Sequence, residues 1–388
     1  MQRYVRRPTA LVLAFPLFLF FITGCESIPF TEPVPASPTA AKSATPPVGD
    51  VSFQRFEAGA ALLDVGVQVF DEGAGSASSN SYPTVRKAES LLLPVLLAQY
   101  LRESGAYGVV RVVPADGIYL PLQVAASIVR ADGLELELDV EVRDAGNRTL
   151  LKKRYRDVTT PADFPVAKGD EPFADLYRAI SNDLGTLVQD LDSSERQTLD
   201  RLALARFAAA ISPAAFGRLV QVTQPRGGDS TVNQAFMLAG FPAAGGPMLG
   251  RMQRLRRQDA LFIDSADEQY RLLLDEVQES YNLWREYNFE LQRYGDAYRE
   301  EASSRKSNAR RGSYASMQQS YASFRKVKIQ EEDLADLVDG FAGESLETVL
   351  RVDDGVFRLQ GSVEQRYAQW KEILARINAL ETGIPKDS

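Results

Sequence analysis

Carboxylates alternate with aliphatic side chains along one predicted strand, and this is the densest pattern in the chain that could do chemistry. The acids are Glu135, Glu137, Asp139 and Glu141. Successive side chains of a strand point to opposite faces, so all four carboxylates share one face. Such a face could bind a cation or supply an acid and a base. A half-exposed antiparallel strand with a charged solvent face has the same pattern, and we favour that interpretation.

Serine and lysine occur twice at Ser-x-x-Lys spacing, from Ser303 to Lys306 and from Ser323 to Lys326. In a helix this spacing places a lysine amine one turn from a serine that it could activate, as in penicillin-binding enzymes. Those enzymes also need a Ser-x-Asn and a Lys-Thr-Gly strand. Here the Ser-x-Asn at Ser280 precedes both pairs, and no Lys-Thr-Gly occurs. The sequence therefore favours the interpretation that these serines lie near lysines by chance in polar segments, without a catalytic role.

Histidine is absent, and Cys25 is the single cysteine among 388 residues. Histidine is the commonest general base near neutral pH and the commonest metal ligand. Its absence excludes Ser-His-Asp and Cys-His catalysis and most zinc sites. We therefore predict that the protein is not an enzyme and has no catalytic, metal or cofactor site.

Acidic residues outnumber basic ones, 52 to 44, for a net charge of −8. This balance argues against nucleic-acid binding, which needs a basic face. The densest basic cluster is Arg251, Arg254, Arg256 and Arg257. It could contact phosphate headgroups or an acidic partner. The sequence favours an exposed helix start whose arginines are balanced by acids that follow closely, which are Asp259, Asp264, Asp267 and Glu268.

The first 24 residues have the composition of a secretory signal. Arg3, Arg6 and Arg7 precede an apolar run from Leu11 to Ile22. A basic start, a short apolar segment and small residues before a cleavage point are typical of such leaders. The run is shorter than the ~20 residues that cross a bilayer, so a removed leader over residues 1–24 is predicted.

The leader ends in a tetrad that resembles the lipobox of bacterial lipoproteins. Its residues are Ile22, Thr23, Gly24 and Cys25. The resemblance implies that the Cys25 thiol is diacylated, that the chain is cut before Cys25, and that the new amino terminus is acylated. An ordinary secretory signal with an incidental cysteine is the alternative. Glu26 occupies the position where an Asp commonly retains lipoproteins at the inner membrane, which implies an outer-membrane anchor facing the periplasm.

Composition then divides the mature chain into segments. Residues 25–50 are rich in Pro, Ala, Ser and Thr and are predicted to form a semi-extended tether. Residues 51–192 have the order β-α-β-β-β-β-α, with turn signals at Asp132-Gly133 and 144–147. This order predicts an α+β domain with a mixed sheet and helices on one face, and it resembles the small sheet domains of several periplasmic lipoproteins.

Residues 193–330 are predicted to be mostly helical. Ser194 and Gln197 suggest a capping box at the start of one helix. Residues 212–246 are predicted to be irregular, and a long helix should follow from Leu249 to about Lys306. Aromatic and aliphatic residues near 3.5-residue spacing on this helix favour packing against a partner helix over a ligand site. They are Tyr270, Val277, Tyr281, Trp284, Tyr287, Leu291, Tyr294 and Tyr298.

Residues 331–388 are predicted to form a small αββα module. Helices over Glu331–Phe341 and Glu364–Leu380 flank a hairpin that turns at 353–355. The run Val352–Val363 resembles the central hairpin of BON domains, which are αββαβ modules associated with membrane or partner attachment. The last strand of that family is missing here.

Together these features predict a lipid-anchored periplasmic binding or scaffold protein of the bacterial outer membrane. Its partner would be an envelope protein or peptidoglycan, with no nucleic acid. A structural subunit of a trans-envelope secretion or transport assembly, oligomerising through the aromatic helix, is one alternative. A cell-wall-acting enzyme that uses Asp and Glu alone is the other.

Overall fold

Five strands from the first part of the chain form one mixed sheet. The computed structural model describes residues 45–57, 62–73, 83–114, 118–223, 234–304, 313–343, 347–352 and 355–383. The strands are β1 (Val65–Gln68), β2 (Val110–Val113), β3 (Leu122–Ala131), β4 (Glu135–Asp144) and β5 (Thr149–Val158). Their spatial order is β2-β1-β3-β4-β5. β1 runs parallel to β2 and β3, whereas β3, β4 and β5 are antiparallel, which confirms the predicted mixed sheet.

Two helices cover one face of this sheet. They are α1 (Pro83–Ser104) and α2 (Ala174–Gln189). The aliphatic side chains of β3 and β4, such as Val124, Ile128 and Leu138, are buried in the core with Leu92 and Ile180 from the helices. Each fully buried side chain of this size contributes roughly 1.5–3 kcal/mol, so this face accounts for much of the stability of the α+β part.

An extended segment, residues 45–57, lies along β5 and α2. The N–H of Val48 donates to the Arg156 carbonyl at 2.8 Å, and the N–H of Val51 donates to the Asp175 carboxylate at 3.1 Å. Residues 45–50, the end of the predicted tether, therefore lie against the folded part of the chain.

Helices dominate the middle of the chain, with one short hairpin among them. The elements are α3 (Ser193–Ile211), α4 (Pro213–Phe216), β6 (Val220–Thr223), β7 (Ala235–Leu238), α5 (Pro247–Ser304) and α6 (Ser313–Gly343). The prediction of an irregular segment over 212–246 is wrong at α4, β6 and β7. The hairpin lies against the turn at 144–147, where the N–H of Phe236 donates to the carbonyl of Gly146 at 3.0 Å, a contact between distant residues that no local pattern contains.

The N-terminal cap of α3 differs from the predicted one. The Asp192 carboxylate accepts the N–H groups of Ser194 at 2.7 Å and Glu195 at 2.8 Å. The Glu195 carboxylate accepts the N–H of Asp192 at 3.0 Å, which completes a capping box. The predicted pair of Ser194 and Gln197 is therefore wrong, since Ser194 already lies inside the helix. Asp and Ser are similarly good residues at the N-terminal cap of a helix, so residue type alone did not show which of them caps α3.

Replacing Asp192 by alanine should lower the free energy of unfolding by about 1 kcal/mol, because two N–H groups of α3 lose their acceptor. Urea unfolding followed by circular dichroism would measure the change. Ser194→Ala is the matched control and should change the unfolding midpoint less. A larger loss for Ser194→Ala than for Asp192→Ala would contradict this cap.

The aromatic face of α5 is buried, as the spacing predicts. Tyr270, Tyr281 and Trp284 are almost fully shielded from solvent. The ring of Tyr287 faces α6, where the Lys326 amine lies 4.7 Å from its centroid. α5 contacts α1, β2, α3 and α6. The side chains of residues 294 and 298 lie outside the described residues.

The carboxy-terminal part has the predicted helix–strand–strand–helix order. It consists of the end of α6, β8 (Thr348–Val352), β9 (Gly355–Leu359) and α7 (Val363–Thr382). Trp370 is buried, and the ring of Tyr367 lies 5.2 Å from that of Phe262 on α5. Its first helix is longer than predicted, because α6 begins at Ser313. No helix among the described residues is both long and apolar enough to cross a membrane.

Candidate functional site

An open depression of about 1280 Å³ lies where the end of β1 meets the middle of β3, β4 and β5. Polar side chains of the sheet line it, including Gln68, Ser127, Asp139 and Arg154. The strand register places Ser127 beside Asp139, and Asp139 beside Arg154. Because side chains alternate along a strand, these residues share the face opposite to the buried aliphatic side chains. The depression therefore presents a polar, hydrogen-bonding surface.

The four predicted acids of β4 face arginines. The Asp139 carboxylate accepts from the Arg154 guanidinium at 2.6 Å, and Glu135 accepts from Arg156 at 2.8 Å. Hydrogen bonding to Asp139 raises the pKa of Arg154, so this guanidinium keeps its charge. The acids are thus held in cross-strand ion pairs, an arrangement that stabilises a sheet face more than it prepares a free acid and base.

The prediction of a uniformly solvated acidic face needs one correction. Glu137 is only 3% exposed, although Asp139 reaches solvent. Glu141 is partly covered because it accepts from Arg143 at 2.8 Å and from the Thr149 hydroxyl at 3.0 Å. Thr149 comes from the neighbouring strand β5, so the acidic pattern of β4 alone could not reveal how far each carboxylate is shielded.

Three charged side chains at the depression make few bonds to other described residues. Lys152 is exposed and has no ion pair with any residue that the structure describes, and Glu72 is exposed as well. Asp71 accepts the N–H of Gly73 at 2.7 Å through one carboxylate oxygen. These groups can bind a polar partner through ion pairs and hydrogen bonds. Within the described residues, no three Cys, Asp or Glu side chains come together as a possible metal site.

The basic residues of β5 were missed in the sequence, although a signal for them exists. The turn at 144–147 fixes the register of β4 and β5 and places Lys152 opposite Glu141 and Arg154 opposite Asp139. Basic residues at every second position of the second strand therefore mirror the acids of the first. Reading the two strands as one hairpin would have predicted the ion pair of Asp139 with Arg154.

The arginine cluster at the start of α5 is balanced only in part by the acids that were predicted to balance it. Arg256 pairs at 3.2 Å with Asp259, which is fully buried, and Arg254 pairs with Glu381 of α7. Of the other predicted acids, Asp267 binds Arg102 of α1 at 2.7 Å. Asp264 binds Arg111 of β2. The prediction is therefore confirmed for Asp259 and wrong for Asp264 and Asp267, because arginines distant in sequence bind these two acids and fasten α5 to the α+β part.

The remaining predicted site residues lie largely outside the described part of the chain. This is true of the tetrad that ends at Cys25 and of Lys306. The side chain of Ser323 is also outside it, whereas Lys326 lies over the Tyr287 ring. The lipid attachment site therefore stays a prediction.

A buried charged cluster joins α5 to the α+β part, and no sequence pattern singled it out. Arg285 is 1% exposed and donates to both carboxylate oxygens of Glu171, at 2.7 and 3.2 Å. Its guanidinium lies 4.4 Å from the ring centroid of Tyr281. The Tyr281 hydroxyl donates to Glu89 of α1 at 3.0 Å. Burial raises the pKa of Glu89 to about 7, although Arg86 and Tyr281 oppose the shift.

No known protein family matches this chain, and no curated protein matches it either. Its function is therefore inferred from the sequence features and from the polar depression.

Proposed function

We propose that this chain is a lipid-anchored binding protein on the periplasmic face of the bacterial outer membrane. The observation that carries the anchoring is the tetrad Ile22-Thr23-Gly24-Cys25 at the end of a leader-like apolar run. Twenty steps along the chain separate Cys25 from Thr45, the first described residue, and such a chain can reach at most about 70 Å. The anchor would hold Thr45 within that distance of the membrane.

The polar depression supports a binding role. It is open, lies on the rigid face of a sheet whose other face is packed, and presents Lys152, Glu72 and Asp71 to a partner. A protein of the envelope, or peptidoglycan, would be bound there. Confinement near one membrane raises the effective concentration of such a partner without any new contact.

Binding is a better interpretation of this surface than catalysis. The strand carboxylates that a cell-wall hydrolase would need are tied to arginines, as Asp139 is to Arg154 and Glu135 is to Arg156. A general acid or base must be free to exchange a proton with the substrate, whereas these carboxylates are occupied by hydrogen bonds from arginines.

Replacing Cys25 by serine should release the protein from the membrane, because a serine hydroxyl cannot receive the thioether-linked lipid. Fractionation of envelopes, together with the mass of the mature protein, would measure the loss of the acyl chains. Glu26→Asp is an informative companion, expected to move the intact lipoprotein toward the inner membrane. A Cys25→Ser form that stays with the outer membrane would contradict the proposal.

Assembly into a trans-envelope complex is a second candidate, favoured by the length of α5. The Gln292 side chain donates to the Asp132 carbonyl at 3.0 Å, and α5 continues for twelve residues beyond it, or about 18 Å. The aromatic side chains predicted to mediate this assembly, including Tyr270, Tyr281 and Trp284, are buried within the chain, so a subunit contact would use the opposite side of α5. Light scattering on the soluble Cys25→Ser form would separate an oligomer from a monomer.

A further inference from the structure

Short side chains of β3 lie between longer charged side chains in the depression. Ala125 and Ser127 line it from β3, with Asp71 beside Ser127 on one side and Asp139 beside it on the other. Side chains on one face of a sheet stand roughly perpendicular to it, so short ones between long ones leave space above the strand. The depression therefore has room for a ligand over the middle of the sheet.

The charged groups in the middle of the depression are already paired. The Asp139 carboxylate accepts from the Arg154 guanidinium at 2.6 Å. The Glu141 carboxylate accepts from Arg143 at 2.8 Å and from the Thr149 hydroxyl at 3.0 Å. Each ion pair joins one negative to one positive charge, so this part of the surface has little net charge. It favours a ligand whose central part is uncharged and forms hydrogen bonds.

Charged groups of opposite sign remain at two opposite sides of the depression. Lys152 on β5 is exposed and forms no ion pair with any residue that the structure describes. Asp71 and Glu72 follow β1 on the other side, and both are exposed and without an ion pair in the described part of the chain. Asp71 accepts the N–H of Gly73 through one carboxylate oxygen at 2.7 Å, which leaves the other oxygen for a ligand.

The strand register gives the distance between these two sides. A row of paired residues runs from Asp71 across β3 and β4 to Arg154 on β5. Its three spacings of about 4.8 Å amount to about 14 Å, and Lys152 lies two residues farther along β5. An extended peptide of three or four residues is about 10–14 Å long. A peptide of this length can therefore place its two ends at the two charged sides.

We propose that the depression binds a short zwitterionic peptide, with its ammonium group at Asp71 and Glu72 and its carboxylate at Lys152. The peptide groups between the two ends would form hydrogen bonds over Ser127 and the paired middle of the depression. This inference rests on the proposed binding role of the depression and narrows the ligand to a peptide with a free amine and a free carboxylate, as the peptide part of peptidoglycan has. A partner of one charge sign would leave one of the two sides uncomplemented.

Four forms of tetra-alanine test this proposal on the full chain purified in a neutral detergent. One has both ends free, one is N-acetylated, one is C-amidated, and one carries both modifications. Titration calorimetry should show that blocking either end weakens binding at least fivefold, because each block removes one charge-assisted contact. Equal binding of the free and the doubly blocked peptide, or no binding of the free peptide, would overturn the proposal. Such a failure refutes this site alone, whereas a Cys25→Ser protein that stays with the outer membrane refutes the anchor.

Two variants assign the ends of the peptide. Lys152→Ala should weaken the free peptide at least fivefold but change the affinity of the amidated peptide less than twofold, since only a free carboxylate gains from Lys152. Asp71→Asn combined with Glu72→Gln should do the same for the free amine, with the acetylated peptide as the insensitive form. Lys168→Ala, which removes an exposed lysine outside the depression, is the matched control and should leave every affinity unchanged. Variants that weaken free and blocked peptides alike would overturn the proposal.

Discussion

Replacing Arg285 by alanine is expected to lower the free energy of unfolding by about 3–5 kcal/mol. The substitution leaves the carboxylate of Glu171, which is 5% exposed, without its bidentate partner. A buried charge that loses its partner costs far more than the intact pair contributes, because the remaining charge is no longer solvated by water or by protein. Denaturation with guanidinium chloride, followed by tryptophan fluorescence, would measure the change.

Arg271→Ala is the matched control, since Arg271 is also an α5 arginine but is itself half exposed. It pairs with exposed Glu268 and with Asp267, which keeps its ion pair with Arg102 when Arg271 is removed. Its loss should cost less than about 1 kcal/mol. The double variant Arg285→Met with Glu171→Leu should regain much of the lost stability, because it removes both charges at similar volume. If Arg285→Ala costs no more than Arg271→Ala, the buried pair does not fasten α5 to the α+β part.

Local elements were predictable because their signals lie within a few residues. The turn between β3 and β4 is an example: the Asp132 carboxylate accepts the N–H groups of Leu134 and Glu135, and Gly133 has a φ of +75°. Asp-Gly is the sequence that such a turn requires, since glycine adopts positive φ without strain. The α+β class followed from these strands and from the helices around them.

The arrangement of these elements in space could not be predicted from local sequence signals. β1 lies between β2 and β3, a position set by the crossover through α1 and by packing of both faces. α5 is fixed by ion pairs such as Arg102 with Asp267, which are 165 positions apart in the sequence. Nothing in either local segment specifies its partner.

The candidate site was predictable in part. The alternating acids of β4 identified the correct sheet face, but their environment depends on the register of β5, which brings Arg154 to Asp139 and Arg156 to Glu135. Such features arise from contacts between strands, and a single-strand pattern does not contain them.

Raising the pH from 4.5 to 8 is expected to lower the free energy of unfolding by about 3 kcal/mol because of the Glu89 carboxyl alone. Burial raises the pKa of this carboxyl from 4.5 to about 7 in the folded protein, so the folded state keeps a proton that the unfolded state releases. The stabilisation is complete below pH 4.5, falls as the pH rises toward 7, and is constant above it. Each unit of the shift corresponds to about 1.4 kcal/mol.

The measurement compares the unfolding free energies of the wild type and of Glu89→Gln from pH 4.5 to 8. The amide introduced by this substitution cannot ionise, so the difference between the two proteins isolates the Glu89 carboxyl from Arg86, Arg285 and Asp132, which also act on it. Relative to the variant, the wild type should lose about 3 kcal/mol across this range.

Tyr281→Phe provides an independent check on the direction in which stability changes with pH. The Tyr281 hydroxyl donates to Glu89 and thereby lowers the pKa of Glu89 against the effect of burial. Without that hydrogen bond the pKa should rise further, and the loss of stability should continue to higher pH than in the wild type. A difference between wild type and Glu89→Gln that stays flat from pH 4.5 to 8 would show that Glu89 keeps its charge in the folded protein. In that case the neighbouring Arg86 and Arg285 would outweigh burial at the junction between α1 and α5.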